Sequence, residues 1–468
     1  MLILRSRAVL FLAFAFAVMA DPVSSVAYAV EAALHALGGR LDLLVATMGL
    51  VVAIIALVIV NYRALIARYP EGGGASAAVG EAFGDGWSFV PVGSLVVDFV
   101  LTIAISVSAA ASAVIAYFPQ LEPWRLLIAL VLVAVVGGLC WFGHLGRIVF
   151  ALMTIVFVLV AAAVLVFSAF AQPLEGAALA VSAAAAEADP GALAGLIAVV
   201  FAFPVAMALA TGVEAPSTAI AQLGELDDAG RRRFGQLTLW LTLGIVGVIT
   251  LGLATQAARL DIGLPEAGST LIADFARYVA PAPLFALFQL MTALLLLAAA
   301  SSSFQAGPGL LKALAVHPGR AHAVGILPAA FGRVNSRHTP YWGLVLFAVL
   351  SMVVVAAAGA DDQRLVLFYA VAVFLSFLSG LLAMTRFTFV ARQRKRFALN
   401  VFGSSVVAFT LVVNLARGWP LVSLVAAALI AGALWMLWVR AGRPEGIRSI
   451  EALAEKAEAS TDPITPDR

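Results

Sequence analysis

"FAFAVMADPVSSVAYAVEAAL", residues 14–34, is apolar at both ends and polar in its middle. Two readings compete for it. Arg5, Arg7, the apolar run after them and Ala20 imitate the basic region, apolar region and small-residue cleavage site of a secretory leader. Alternatively, residues 7–37 are one membrane span interrupted at Asp21-Pro22-Val23-Ser24-Ser25. Each half then has about 13 apolar residues and cannot cross roughly 30 Å of hydrocarbon by itself. Cleavage after Ala20 would strand Val23–Leu37 as an apolar piece too short to span, and would leave an odd number of spans behind it. The interrupted span is the reading consistent with the rest of the chain.

Of 468 residues, 63% are hydrophobic and 12% charged, about half the charged share of an ordinary soluble domain. Apolar stretches of spanning length recur near residues 7–37, 43–66, 89–117, 124–142, 146–170, 192–222, 236–258, 280–304, 341–359, 364–388, 399–416 and 419–440. No stretch alternates as a strand would. The fold class is therefore an all-α polytopic membrane protein of twelve helices, with a single transmembrane transport domain over residues 1–440 and a short tail over 441–468. If the N-terminus is cytoplasmic, the loops and tails on that side hold 22 of the 28 Lys and Arg, including Arg231, Arg232, Arg233 and "RQRKR" from Arg392 to Arg396. That bias predicts an even span count and cytoplasmic termini in the plasma (inner) membrane.

A second interruption lies in "LIAVVFAFPVAMALATGVEAPSTAIAQL", residues 196–223, where Thr211, Gly212 and Glu214 stand deep in an apolar helix. Gly212 loosens the helix, and Pro216 has no N–H to return to Gly212. The two interrupted spans are the first and the sixth, five apart in order, an odd number, so they enter from opposite faces. This is the pattern of an inverted repeat, residues 7–170 against 192–388, with two extra helices over 399–440. Opened backbone at mid-membrane is tolerated where it lines a cavity or coordinates a ligand. Asp21, Asp98 and Glu214 are carboxyls in apolar surroundings, each a candidate site for a cation or proton. Asp98, Thr102 and Ser106 fall at i, i+4 and i+8 and make one polar stripe headed by a carboxyl. Most other serines in these helices have an ordinary role, bonding their own i−4 carbonyl or allowing close packing. Cys140 is the one cysteine, and the five histidines have no metal-ligand spacing. No nucleophile is paired with a base, so an enzyme is not expected.

Taken together, "DPVSSVAYAVEAAL" (21–34), "YPEGGGAS" (69–76), "TGVEAPSTAI" (211–220), "AASSSFQAGPGLLKAL" (299–314) and "YAVAVFLSFLSG" (369–380) resemble the amino acid–polyamine–organocation permeases, most of all their KimA-type potassium/proton symporter branch. The resemblance implies a LeuT-type fold in which spans one and six are unwound around the substrate and a bundle rocks against a scaffold. Carried over residue by residue, that branch's potassium-site pattern falls on Asp21 and Tyr28, on Asp98, Thr102 and Ser106, on Thr211 and Glu214, and on Tyr369. Ser24, Ser25 and Gly212 in the same two breaks are further candidate ligands, and Glu214, a partly desolvated carboxyl, is the candidate proton carrier. Phe99 stands where that branch has an aromatic hydroxyl, which removes one oxygen ligand. Amino-acid-transporting relatives place glycines in the first break so that bare amides reach a carboxylate. Asp21 and Pro22 do the reverse, repelling an anion and removing a donor. Span five lacks the lysine of some proton-linked relatives, with Arg147 at its edge.

The expected function is alternating-access import of a small cationic solute, potassium first, by proton symport. An amino acid permease, proton- or sodium-coupled, is the alternative. Sodium coupling stays open because Ser301, Ser302 and Ser303 could face the first break. No cofactor and no nucleic-acid partner are expected. The partners are the solute and the bilayer, and association into a homodimer stays open. "YPEGGG" reads as a tight turn between spans two and three. The tail reads as a short amphipathic helix on the membrane surface followed by a polar end.

Overall fold

A computed structural model describes residues 7–143, 146–173, 191–315, 325–418 and 420–459. The first span comprises α1 (Arg7–Val18), α2 (Ala20–Ser24) and α3 (Val26–Ala36). It is followed by α4 (Leu41–Arg68), α5 (Gly74–Phe83), α6 (Phe89–Tyr117), α7 (Arg125–Phe142) and α8 (Arg147–Ser168). The second half runs through α9 (Gly191–Ala206), α10 (Ala215–Ala219), α11 (Asp228–Leu260), α12 (Leu271–Val279), α13 (Ala282–Leu314), α14 (Tyr341–Ala358) and α15 (Asp362–Val390). Then come α16 (Arg394–Leu415), α17 (Leu421–Arg440) and the tail helix α18 (Ile450–Ala459).

Eleven helical segments among the described residues are long and apolar enough to cross a membrane. The broken first span adds α1 and α3, each too short alone. Large apolar side chains such as Leu127, Leu159, Val248, Val353 and Leu429 are more than half exposed. Such a belt is stable against hydrocarbon and not against water.

The packing pairs reciprocate between halves. α6 lies against α13, and α4 against α11. The contact of α8 with α13 is mirrored by that of α15 with α6. Short helices, α5 and α12, occupy equivalent places between spans two and three and between seven and eight. These relations are those of an inverted repeat. Span three is the most enclosed, 89% buried over its apolar core, because α13, α15 and α17 all pack on it. Gly93 permits the last contact: a Cβ there would lie 2.6 Å from the Ala427 carbonyl of α17.

Three expectations change. After "YPEGGG" comes no simple turn but the buried helix α5, reached through Gly72 and Gly74 at positive φ. Span eight continues to Leu314 through Pro308, and Gly307 lets the Phe347 ring lie where a Cβ would sit 2.5 Å away. The tail helix does not lie on the membrane surface. Ile447, Ile450, Ala452 and Ala454 are buried, and α18 packs against α13, α5 and α10.

Candidate functional site

The two expected breaks differ in depth. In the first span the chain stays right-handed helical through Met19 and Ser25, which merely separate α2 from its neighbours. Val23 N–H still donates to Met19 O at 3.0 Å and Ser25 N–H to Asp21 O at 3.2 Å. Pro22 has no N–H, so the Val18 carbonyl loses its usual donor. The sixth span opens fully. After a 3₁₀ turn, Met207–Ala210, Thr211 becomes extended (ψ 140°) and Gly212 takes φ +72°. Here glycine is required twice over. The conformation is left-handed, and a Cβ would lie 2.6 Å from Asp21 Oδ2 and 2.8 Å from Pro22 Cδ. The backbone of one break therefore rests directly on the side chain of the other.

A cavity of about 180 Å³ extends from this contact toward the face that carries both described chain ends. Asp21, Asp98, Gly212 and Glu214 line it together with Val18 and Tyr62. Asp21, Asp98 and Glu214 each keep one buried carboxylate oxygen without a hydrogen-bond partner. The hydroxyls of Tyr62 and Ser217, in the same lining, are also buried and unpartnered. Five carboxyl residues, Asp21, Asp98, Glu214, Glu451 and Glu455, face one guanidinium, that of Arg147. Unpaired carboxylates withdrawn from water are costly unless a proton or a cation joins them.

Of the other expected residues, Ser24, Ser25, Tyr28, Thr102, Ser106 and Thr211 are buried and are not part of the described cavity lining. Tyr28 and Thr211 are each 1% exposed, and Thr211 Oγ1 donates to the Ala208 carbonyl at 2.7 Å. The Tyr28 hydroxyl lies 2.9 Å from Ser25 Oγ. Thr102 and Ser106, also 1% exposed, follow Asp98 by one and two turns of α6. Ser24 and Ser25 point their hydroxyls at the Asp21 carbonyl, at 2.7 and 3.2 Å. That carbonyl is thus well supplied with donors, and the one released by proline is Val18. Tyr369 belongs to α15, but its side chain lies outside the described residues. Phe99 lines the cavity beside Asp98 and packs edge-on against Phe347, ring centroids 6.4 Å apart. Ser302 and Ser303 reach the cavity, whereas Ser301 contacts Cys140 and Gln305.

On the opposite face polar tethers close the protein. Ser112 donates to Asp362 Oδ1 at 2.7 Å and accepts from Arg125 Nη1 at 2.7 Å. Glu31 of α3 accepts from the Leu271 N–H of α12 at 2.8 Å, and Arg277 of α12 donates to the Ala116 carbonyl of α6. α12 is thereby fastened to both spans one and three. The sequence reading missed Tyr62, Ser217, Glu31, Glu451 and Glu455. A polar atom inside an apolar span could have marked the first three; nothing local marks the tail carboxyls.

A sequence profile described as "Amino acid permease" matches residues 10–446. The potassium transporter KimA of Bacillus subtilis (strain 168) is 28% identical over 330 residues, which are 68% of this chain and 51% of that protein. The chain thus spans about half the length of this curated relative. Among solved structures, a manganese transporter of Eremococcus coleocola aligns in two mutant forms. One has 14% identity and a TM-score of 0.47, the other 13% and 0.49, each covering 95% of this chain and 97% of that one. The extent of the profile match establishes that the chain belongs to the amino acid permease family, as a multi-pass membrane transporter of the amino acid–polyamine–organocation superfamily.

Proposed function

We propose that this transporter imports a small monovalent cation, potassium first, in symport with protons. In this reading the face with the chain ends is cytoplasmic, in the plasma membrane, and the cavity is the inward-facing half of an alternating-access cycle. The observation that carries the reading is the set of buried, unpartnered carboxylate oxygens on Asp21, Asp98 and Glu214 around one cavity. The cation would sit between this acidic floor and the oxygen layer of Tyr28, Thr102, Ser106 and Thr211. Asp21 and Asp98 would balance its charge, and Glu214, beside the open backbone of span six, would exchange its proton as the cation enters or leaves. The named substrate of KimA supports potassium.

Family membership favours a second reading, an amino acid substrate. In that case the opened backbone at Thr211–Glu214 would take the ammonium group, while Arg147 could meet a carboxylate. Purified protein in liposomes with an imposed pH gradient separates the two. Rubidium uptake that saturates and is blocked by potassium, with none from a panel of amino acids, is the expected result. Amino acid uptake without rubidium flux would reverse the assignment.

A further inference from the structure

The tail helix forms the outer wall of the cavity, and its seat is built for it. Arg448, just before α18, pairs with Asp85 in the loop ahead of span three. One turn on, Glu451 Oε1 accepts from the Ser76 N–H of α5 at 2.8 Å. Four residues later, Glu455 accepts from Thr218 Oγ1 at 3.2 Å and from Gln222 Nε2 at 2.6 Å, both at the end of span six. The opposite side of α18 lies on span eight, where a Cβ on Gly309 would sit 3.4 Å from the Ala454 carbonyl. Gly74 leaves the space that Glu451 fills: a Cβ there would lie 1.6 Å from Glu451 Oε2. At Gly80 the corresponding atom would lie 2.8 Å from Arg448 Cγ. Three glycines on two helices thus open onto the same stretch of tail. Glu451, Ala454 and Glu455 line the cavity that reaches Asp21 and Asp98.

We infer that α18 is a clasp across the mouth of the transport cavity, joining span six, through Glu455, to span eight, through Gly309, so that the tail must let go of one of them before the cavity opens fully. The inference rests on the transporter reading for its purpose but not for its test. If spans one and six move against spans three and eight during transport, α18 bridges the two moving parts at their widest separation. Release of the Glu455 contacts leaves the clasp held on α5 and span eight, and gives the cavity a way out.

The test is chemical accessibility, which needs no substrate. Ala306 lines the cavity on α13; in the full chain with Cys140→Ala, Ala306→Cys is exposed to an impermeant maleimide from the face carrying the chain ends. Adding Glu455→Ala is expected to raise the labelling rate at least tenfold, and Glu455→Gln by less. A separate variant, Gly309→Cys with Ala454→Cys, leaves the Glu455 contacts intact and is expected to crosslink in membranes under mild oxidation. Combined with Ala306→Cys, that crosslink should leave labelling near the parent rate, because the Glu455 contacts with Thr218 and Gln222 stay free to release. Unchanged labelling in Glu455→Ala, or no crosslink between 309 and 454, overturns the clasp. Either result leaves the substrate assignment standing, and failure of rubidium uptake leaves the clasp standing.

Discussion

Gly212→Ala is the most exacting test of how the two breaks meet. The substitution adds a single methyl group at a place where neither the backbone nor its neighbour has room. Holding a non-glycine residue at φ +72° costs about 1–2 kcal/mol. The new Cβ would also press on Asp21 Oδ2 at 2.6 Å and Pro22 Cδ at 2.8 Å, and relieving such overpacking costs roughly another 1–3 kcal/mol. Together these give a loss of about 2–5 kcal/mol, concentrated where Asp21 is held. Gly244→Ala is the matched control, a glycine inside α11 with nothing within 4 Å of an added Cβ; it should gain about 0.5–1 kcal/mol from its lower unfolded-state freedom. Thermal unfolding followed by tryptophan fluorescence in detergent, together with uptake in liposomes, reads both. Gly212→Ala should melt lower and lose most uptake, while Gly244→Ala should match or exceed the parent in both. Equal melting and uptake for Gly212→Ala would refute the direct contact of the two breaks.

Glu214→Gln should retain cation binding but lose the pH dependence of uptake; undiminished, still pH-dependent flux would remove Glu214 from proton coupling. Burial pushes the tail carboxyl Glu451 up to about 7 from its ordinary 4.5, and pushes Glu455 in the same direction. Besides each other, Glu451 faces the N–H groups of α5 and the carboxyl of Glu214. A raised carboxyl binds its proton more tightly when seated, so seating is strongest at acid pH and weakens as pH climbs from 4.5 through about 7. For Glu451 alone the difference is about 3 kcal/mol. Maleimide labelling of Ala306→Cys, divided at each pH by that of a free thiol such as glutathione so that the growing thiolate fraction cancels, should therefore accelerate as pH rises across that range, and a flat or falling ratio contradicts the seat. Gly93→Val would drive a side chain into the Ala427 carbonyl and the Ala431 N–H of α17; both are backbone and cannot yield. Expression of folded protein, read by size exclusion, should fall severalfold, and a normal yield would show that α17 can be displaced without penalty.

Much of this was legible in the residues alone. Polar breaks inside apolar runs declare themselves, since nothing but a protein-lined cavity makes Asp21 or Glu214 tolerable at that depth. Their odd separation in span order, first and sixth, already implied helices entering from opposite faces and meeting as halves of one repeat. What could not be read was the asymmetry between them. A proline and two serines look as disruptive as a glycine beside a threonine, yet Met19 and Ser25 stay right-handed helical and Ser25 N–H still donates to the Asp21 carbonyl, so that helix remains wound. The helix after Gly72–Gly74 was hidden because a run of glycines reads as loop, and its burial comes from packing against α15 as well as the tail. Glu451 and Glu455 were illegible for a similar reason. Their charged, amphipathic stretch has the composition of a surface helix, and only the third dimension sets it against residues more than 200 positions earlier.

The far-side tethers bear on the energetics of the whole cycle. To expose Asp21 and Asp98 to that side, α12 must come away from Glu31 and from the Ala116 carbonyl, and Asp362 must part from Ser112 and Arg125. Each buried polar group left without its partner raises the free energy by about 1–3 kcal/mol. In the proposed alternating-access cycle, opening the far side would therefore carry the cost of breaking these few hydrogen bonds before Asp21 and Asp98 could be reached from it.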